Sequence, residues 1–184
     1  MGCSVTLTDE PFHPDTRALL DYGRAIAAGR TPPAVGTADK LGDRLFVIDG
    51  VPDGRANFLT FGSELIDLFK RDLRRSDLLD LYLPSDRGLM RAFISAVSSA
   101  NQPGVVCGTG ETKDGVLVGI EILVTPLAKG VLSGERLLGL MQPLGGEGFL
   151  GDQGLTRLRI TSLFPPAAHE RAKPQPIRLV VSNT

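Results

Sequence analysis

The sequence is poor in the residues that bind metals, and this shortage argues against a metal centre. It has no tryptophan, two histidines (His13 and His169) and two cysteines (Cys3 and Cys107), and these four lie far apart along the chain. Neither histidine has a second histidine or a cysteine at the spacing of metal ligands. We therefore expect no metal and no cofactor. Because Cys3 stands at the extreme N-terminus, we also expect no disulfide, which suits a reducing cytoplasm.

A surplus of charge of either sign is also missing. Lysine and arginine number 20 against 21 aspartates and glutamates, so the net charge is −1. General nucleic-acid binders carry a basic surplus, so we expect no nucleic acid as a partner. The sequence has no run of about 18 or more apolar residues, so we expect no membrane span. It also opens without a signal peptide, and the prediction is a cytoplasmic protein.

The sequence contains enough apolar residues for one folded domain. Hydrophobic residues make up 42% and charged residues 22% of its 184 positions, which is typical of globular proteins. A chain of this length can bury a core without disulfides or metals. We expect four parts, namely a disordered N-terminus (1–11), a flanking helix with its linker (12–33), a folded domain (44–143) and a C-terminal tail (144–184).

The flanking helix is predicted at about 14–29. A proline followed by an aspartate at its start suits the first turn of a helix. Leu19, Tyr22 and Ile26 repeat at helical spacing and form an apolar stripe. Such a stripe packs either on a sheet of the same chain or on a second copy. We take these three residues as the contact of a predicted homodimer.

The remaining pattern predicts one five-stranded antiparallel sheet with helices on one face, in the α+β class. A hairpin is followed by short helical pieces, a long helix and a three-stranded meander. The strands are predicted at 45–49, 55–61, 105–112, 116–125 and 136–142, and the long helix at 85–101. Beyond these strands, glycines, prolines and charges interrupt the apolar runs, so we expect the C-terminal tail to be irregular.

Four segments resemble a bacterial PAS-type family that is found mainly in alphaproteobacteria as short stand-alone proteins. The segments are 13–20 (HPDTRALL), 45–49 (LFVID), 62–73 (GSELIDLFKRDL) and 84–87 (PSDR). The residues of these segments, their order and their spacing all match the family, and the resemblance covers about 12–143. It implies a PAS-like fold and a signalling or regulatory role, and it does not supply a ligand.

The chain departs from the family pattern at three positions. The pattern leads us to expect glycine at Lys70 and near Arg75, and tryptophan at Tyr82. The segment 60–101 has no histidine, which a haem-binding PAS domain would need on its helical segment. Cys107 falls on a predicted strand, whereas a photoactive flavin domain needs its cysteine on the helical face. We therefore interpret Cys107 as a buried structural residue.

The PAS-like architecture implies a hollow between the sheet and the helical segment, where a small ligand could bind. Such pockets are mostly apolar with a few polar groups. The residues predicted to line it are Asn57, Phe58, Leu65, Phe69, Tyr82, Phe93, Ile120, Ile122 and Leu140. Asn57 and Tyr82 are the polar candidates. The alternative interpretation is that these residues fill the core.

Our leading hypothesis is a non-catalytic signalling module that acts by association with itself and with an unknown signalling protein. One alternative is a small-molecule sensor with its ligand in the hollow. Another is an enzyme that uses Glu121, which stands in a very apolar strand, as a general base. A further alternative is an adaptor in which residues 177–181 (IRLVV) are added as an edge strand to a sheet.

Overall fold

The computed structural model describes residues 12–33, 41–127 and 136–166. The helices of this part are α1 (Pro14–Ala27), α2 (Ser63–Phe69) and α3 (Pro84–Ala100). Its strands are β1 (Leu45–Asp49), β2 (Asn57–Phe61), β3 (Gly104–Thr112), β4 (Leu117–Pro126), β5 (Leu137–Pro143) and β6 (Leu155–Phe164). Short 3-10 turns lie at Gly42–Arg44, Val51–Asp53, Leu78–Leu81 and Glu147–Phe149. Among the helices described, none is both long enough and apolar enough to cross a membrane.

The strands form one antiparallel sheet in the order β2-β1-β5-β4-β3-β6. This confirms the predicted α+β class and its antiparallel sheet. The predicted number of five strands is wrong, because β6 joins β3 within the stretch that we expected to be an irregular tail. In β6, Leu155 and Leu158 are buried and Arg157 and Arg159 are exposed. Two register shifts against β3 break the strict alternation that would have revealed the strand in the sequence.

Loops cover part of both edges of the sheet. At β6, the N–H of Leu83 donates to the carbonyl of Leu158 at 3.0 Å. Nearby, the N–H of Ile160 donates to Asp86 Oδ2 at 2.9 Å. At β2, the N–H of Phe58 donates to the carbonyl of Ser76 at 3.0 Å. These contacts satisfy edge groups that would otherwise be open to another strand.

The larger apolar core lies on the face of the sheet that α2, α3 and the Leu78–Leu81 turn cover. Met90, Phe93 and Val97 of α3 point into it with helical spacing, as the sequence predicted. Alternate residues of β4, from Val118 to Val124, enter it from the sheet. Both faces of β4 are buried, so this strand is central in the sheet, as its almost continuous apolar run indicates.

The opposite face of the sheet carries α1 and a second, smaller core. Leu19 and Leu20 of α1 pack there with apolar residues of β3, β4 and β5. Gly23 permits this approach, because a Cβ at this position would overlap Thr125 Oγ1 of β4. The sequence left open whether the stripe of α1 meets a sheet or a second copy. In this structure it meets the sheet of its own chain.

Candidate functional site

The hollow between the sheet and α2 and α3 (the inner hollow) is the first candidate site. Seven of the nine residues predicted to line it share one buried cluster on this face, namely Phe58, Leu65, Phe69, Tyr82, Phe93, Ile120 and Ile122. Asn57 is half-buried at the start of β2, where it forms an isolated bridge to Asp77 at the sheet edge. The structure therefore brings the apolar residues together and leaves the polar Asn57 outside them.

Leu140 does not belong to this cluster. It lies on the opposite face, fully buried with Leu19 and Leu20 of α1. Strand β5 alternates, so Leu137 and Met141 face the inner hollow and Leu140 faces α1. Since both rows of β5 are apolar, the sequence pattern alone could not tell which row faces which helix.

Side chains fill the inner hollow almost completely. The space beside Tyr82, Ile120 and Ile122 has a volume of about 10 Å³. A cavity needs roughly 10–15 Å³ to hold one water molecule, so this space does not hold a small organic ligand in the arrangement described. The aromatic and aliphatic residues predicted to line a pocket act here as core.

Tyr82 is the polar candidate that does face the inner hollow. Its side chain is buried, and burial, followed by the negative charge of nearby Asp86, raises its pKa far above the usual range for a phenol. The hydroxyl therefore stays protonated at physiological pH. A protonated phenol in an apolar cluster suits a structural ring with a polar handle better than an acid or base in a reaction.

The α1 face of the sheet carries a row of polar side chains. Cys107, Glu121 and Gln142 stand opposite one another on β3, β4 and β5. Glu121 is 3% exposed and Gln142 is 5% exposed. Buried groups of this kind need partners, and the partners come from α1 and from the turn before β1.

Glu121 finds its partner at the start of α1. The backbone N–H of His13 donates to both of its carboxylate oxygens, at 3.2 and 3.0 Å. His13 is the N-cap of α1, and its Nδ1 accepts the N–H of Asp15 at 3.2 Å. A carboxylate at a helix N-terminus meets unpaired N–H groups and the positive end of the dipole. Glu121 thus lies on the α1 face of the sheet, bonded to the helix start, rather than in an apolar pocket as the enzyme hypothesis expected.

Arg44 joins the polar row to two helices. Its Nη2 lies 3.2 Å from Asp15 Oδ2 of α1, and its Nε lies 3.2 Å from Glu64 Oε2 of α2 without hydrogen-bond geometry. Its Nη1 donates to Gln142 Oε1 of β5. The sequence analysis did not single out Arg44. The one available signal was an arginine directly before an apolar strand, and its partners lie up to 98 positions away.

An open cleft lies beside Arg44 and has a volume of about 430 Å³. Its charged and polar residues come from the turn before β1, from α2 and its C-cap, from the end of β5 and from the turn that follows. They are Arg44, Glu64, Asp67, Lys70, Gln142 and Glu147. Arg44 is already paired with two carboxylates, so most of its positive charge is neutralised within the chain. The sequence analysis missed this cleft because four separate segments form it.

Cys107 is half-buried at the end of the polar row. Burial raises the pKa of its thiol, and the negative charge of Glu121 raises it further, whereas a hydrogen bond with Ser162 lowers it. A raised thiol pKa fits the interpretation of Cys107 as a structural residue. In the described segments, no group of three or more His, Cys, Asp or Glu residues is placed to hold a metal ion.

The outer surface of β1, β2 and β5 forms a shallow groove that α1 leaves uncovered, with a volume of about 300 Å³. Leu45, Val47, Thr60, Phe61 and Leu138 line this outer groove. Leu45 and Leu138 also pack on the smaller core, as Tyr22 of α1 does.

The residues predicted for the homodimer contact divide into two groups. Leu19 is 3% exposed against its own sheet, so a second copy could not reach it with α1 in place. Tyr22 and Ile26 are half-buried and remain partly accessible. The homodimer itself stays a prediction.

The chain is similar to one described protein family and to several solved structures. The family described as PAS domain matches residues 13–142. No curated protein matches the sequence. Among solved structures, the dark structure of the blue-light photoreceptor Aureochrome1 LOV is 13% identical, with a TM-score of 0.43, over 62% of this chain and 86% of that chain. A fungal LOV domain photoreceptor is 18% identical, with a TM-score of 0.45, over 65% and 87%. At these scores, neither structure carries an argument about function.

Proposed function

The chain belongs to the PAS domain family, and we propose that it is a sensory or signalling module that acts by associating with other protein chains. The observation that carries this proposal is the contrast between the two faces of the sheet. The space in the inner hollow beside Tyr82 has a volume of about 10 Å³, whereas the outer groove has about 300 Å³ and a mostly apolar lining. A signal is therefore better passed through the outer surface than received in the interior.

We propose that a second copy of the chain occupies the outer groove. Tyr22, Leu45 and Leu138 flank the same small core, so the groove and the side of α1 form one partly apolar surface. A two-fold dimer buries the same patch on both copies, and an apolar patch of this kind suits such a contact. The proposed contact includes Tyr22 of the predicted stripe. It does not include Leu19, which is buried, and residues of the outer groove take its place.

Native mass spectrometry and analytical ultracentrifugation test this proposal. We expect twice the chain mass at micromolar concentration, with no additional bound mass. Thr60→Arg places a charge in the groove on an exposed position and should shift the protein to the monomer. Thr156→Arg, on an exposed position of β6, is the matched control and should leave the dimer intact. A wild-type protein that stays monomeric throughout the micromolar range would rule out the homodimer.

A second candidate function is a small-molecule sensor, and the open cleft beside Arg44 is the observation that favours it. Its volume of about 430 Å³ falls within the usual range of ligand pockets. In the same native mass spectra, a non-covalent mass on the freshly purified protein would support this function. Asp67→Arg puts a long side chain at the rim of the cleft, and loss of that mass in this variant would assign the ligand to the cleft.

A further inference from the structure

Residues 70–75, between α2 and the Leu78–Leu81 turn, form a basic loop. Lys70, Arg71, Arg74 and Arg75 are all exposed, and Asp72 is the one acidic residue among them. The whole chain has a net charge of −1, so this concentration of positive charge is local. It stands next to the open cleft, to which Lys70 contributes.

The backbone of the basic loop is one that glycine adopts more easily than any other residue. Lys70 has a φ of 49° and Arg75 has a φ of 64°. Of the non-glycine residues described, the only other one with a positive φ is Asn101, and asparagine tolerates this region better than lysine or arginine. The chain therefore carries basic side chains at two positions where the backbone favours glycine. Lys70 ends α2 in this conformation, at a position where glycine is the usual residue.

The loop is held in place from below. Leu73 at its centre is fully buried in the larger core, and the hydroxyl of Ser76 donates to the carbonyl of Leu73 at 2.6 Å. On the other side, Gly154 packs so closely that a Cβ there would overlap the carbonyl group of Phe69. The four cations are thus presented from an anchored backbone, which reduces the ordering entropy lost when a partner binds.

Most of the positive charge of the loop is not neutralised within the described chain. Asp72 is committed to Arg74, whose Nε lies 2.7 Å from Asp72 Oδ2. The backbone N–H of Arg74, which donates to Asp72 Oδ1 at 2.9 Å, and then this side-chain contact lower the pKa of Asp72. Lys70, Arg71 and Arg75 form no ion pair with another residue in the described segments. Three cations therefore remain available to a partner.

We propose that the basic loop is the docking site for a carboxylate-rich segment of a partner protein. Arginine binds carboxylates through two parallel hydrogen bonds, and a cluster of such groups recognises an acidic peptide. Exposed acids on either side, Asp67 and Asp80, limit the positive surface to a few residues. Anionic membranes typically engage clusters of about four to eight basic residues, and nucleic acids engage longer basic stripes. With Arg74 paired to Asp72, the loop falls short of both, so a short acidic peptide is the better fit. The inference deepens the proposed function, because it names a second surface and its partner chemistry.

Fluorescence anisotropy with a labelled polyglutamate peptide tests this inference on the full chain. We expect binding at about 0.05 M salt that weakens at least about tenfold at 0.5 M, because the contact is electrostatic. The double variant Lys70→Gly/Arg75→Gly removes two charges and the backbone strain together. It should bind at least about tenfold more weakly and should unfold at a higher urea concentration than the wild type.

A control with the same change in net charge separates the loop from the overall charge of the protein. Arg24→Ala/Arg30→Ala removes two exposed cations from α1 and the segment after it, on the face of the sheet opposite α2, and should leave peptide binding within about twofold. Equal binding by the glycine variant and the wild type would overturn the inference. So would tighter binding of single-stranded oligothymidine or of phosphatidylserine vesicles than of polyglutamate at the same salt. The dimer mass is measured separately, so either proposal can fail alone.

Discussion

The carboxylate of Glu121 receives the backbone N–H of His13 on both of its oxygens, although the two residues are 108 positions apart. This contact ties the start of α1 to the centre of the sheet. It also explains why a strand as apolar as β4 contains a buried acid. The negative carboxylate lies at the start of α1, where it accepts a backbone N–H that has no partner within the helix.

We predict that Glu121→Ala lowers the free energy of unfolding by about 1–3 kcal/mol. The substitution leaves the N–H of His13 buried without an acceptor and removes a favourable charge from the helix N-terminus. Glu121→Gln keeps one acceptor oxygen and should cost less. Urea denaturation measures both effects. Relative to the wild type, the variants should show a larger increase in the rate of amide hydrogen exchange in α1 than in α3. Glu147→Ala, at an exposed position, is the control, and an equal loss there would contradict the prediction.

We predict that Cys107 reacts with iodoacetamide more slowly than a free thiol at neutral pH. Burial and then the charge of Glu121 raise the pKa of this thiol, so its thiolate fraction is small. In a Cys3→Ser background, the midpoint of the pH–rate profile should lie above that of a cysteine peptide. Glu121→Gln should move the midpoint down. The folded chain holds this proton more tightly than the unfolded chain, so the thiol also makes folding less favourable as the pH rises above the ordinary thiol value. A midpoint at or below that of the peptide would refute the prediction.

We predict that Gly139→Ala destabilises the protein by about 1–3 kcal/mol. Gly139 of β5 stands opposite Phe46 of β1, and a Cβ at this position would overlap the Phe46 ring. Phe46 is fully buried, so its ring has little room to move. Gly148→Ala is the matched control, because a Cβ there meets nothing. Thermal unfolding of both variants measures the difference, and equal melting temperatures would contradict the prediction.

The parts of the fold that local sequence determines were predictable. The first helix ends within two residues of its predicted end, and the lysine, aspartate and glycine at 113–115 form the turn between β3 and β4, with Gly115 at a φ of 85°. Pro14 and Pro84 each stand at the start of a helix, where the missing N–H costs nothing. Such signals act over a few residues and do not depend on the rest of the chain.

The parts that long-range packing determines were not predictable. Strand β6 carries two register shifts, so its apolar residues do not alternate evenly. Leu140 lies in a strand with two apolar faces, and only the position of α1 assigns it to one of them. The partners of Arg44 come from α1, α2 and β5, which the sequence separates widely. The departures from glycine at Lys70 and Arg75 were visible in the sequence, but their positive φ values were not.

The coverage of the sheet edges has a consequence for how this protein behaves at high concentration. The segment around Leu83 and Asp86 occupies groups of β6, and the segment at Ser76 occupies a group of β2. Because these edge groups are already bonded, the two edges offer a neighbouring copy fewer free groups on which to extend the sheet, as amyloid growth requires. Partial coverage of this kind disfavours the open-ended stacking of copies through their sheet edges.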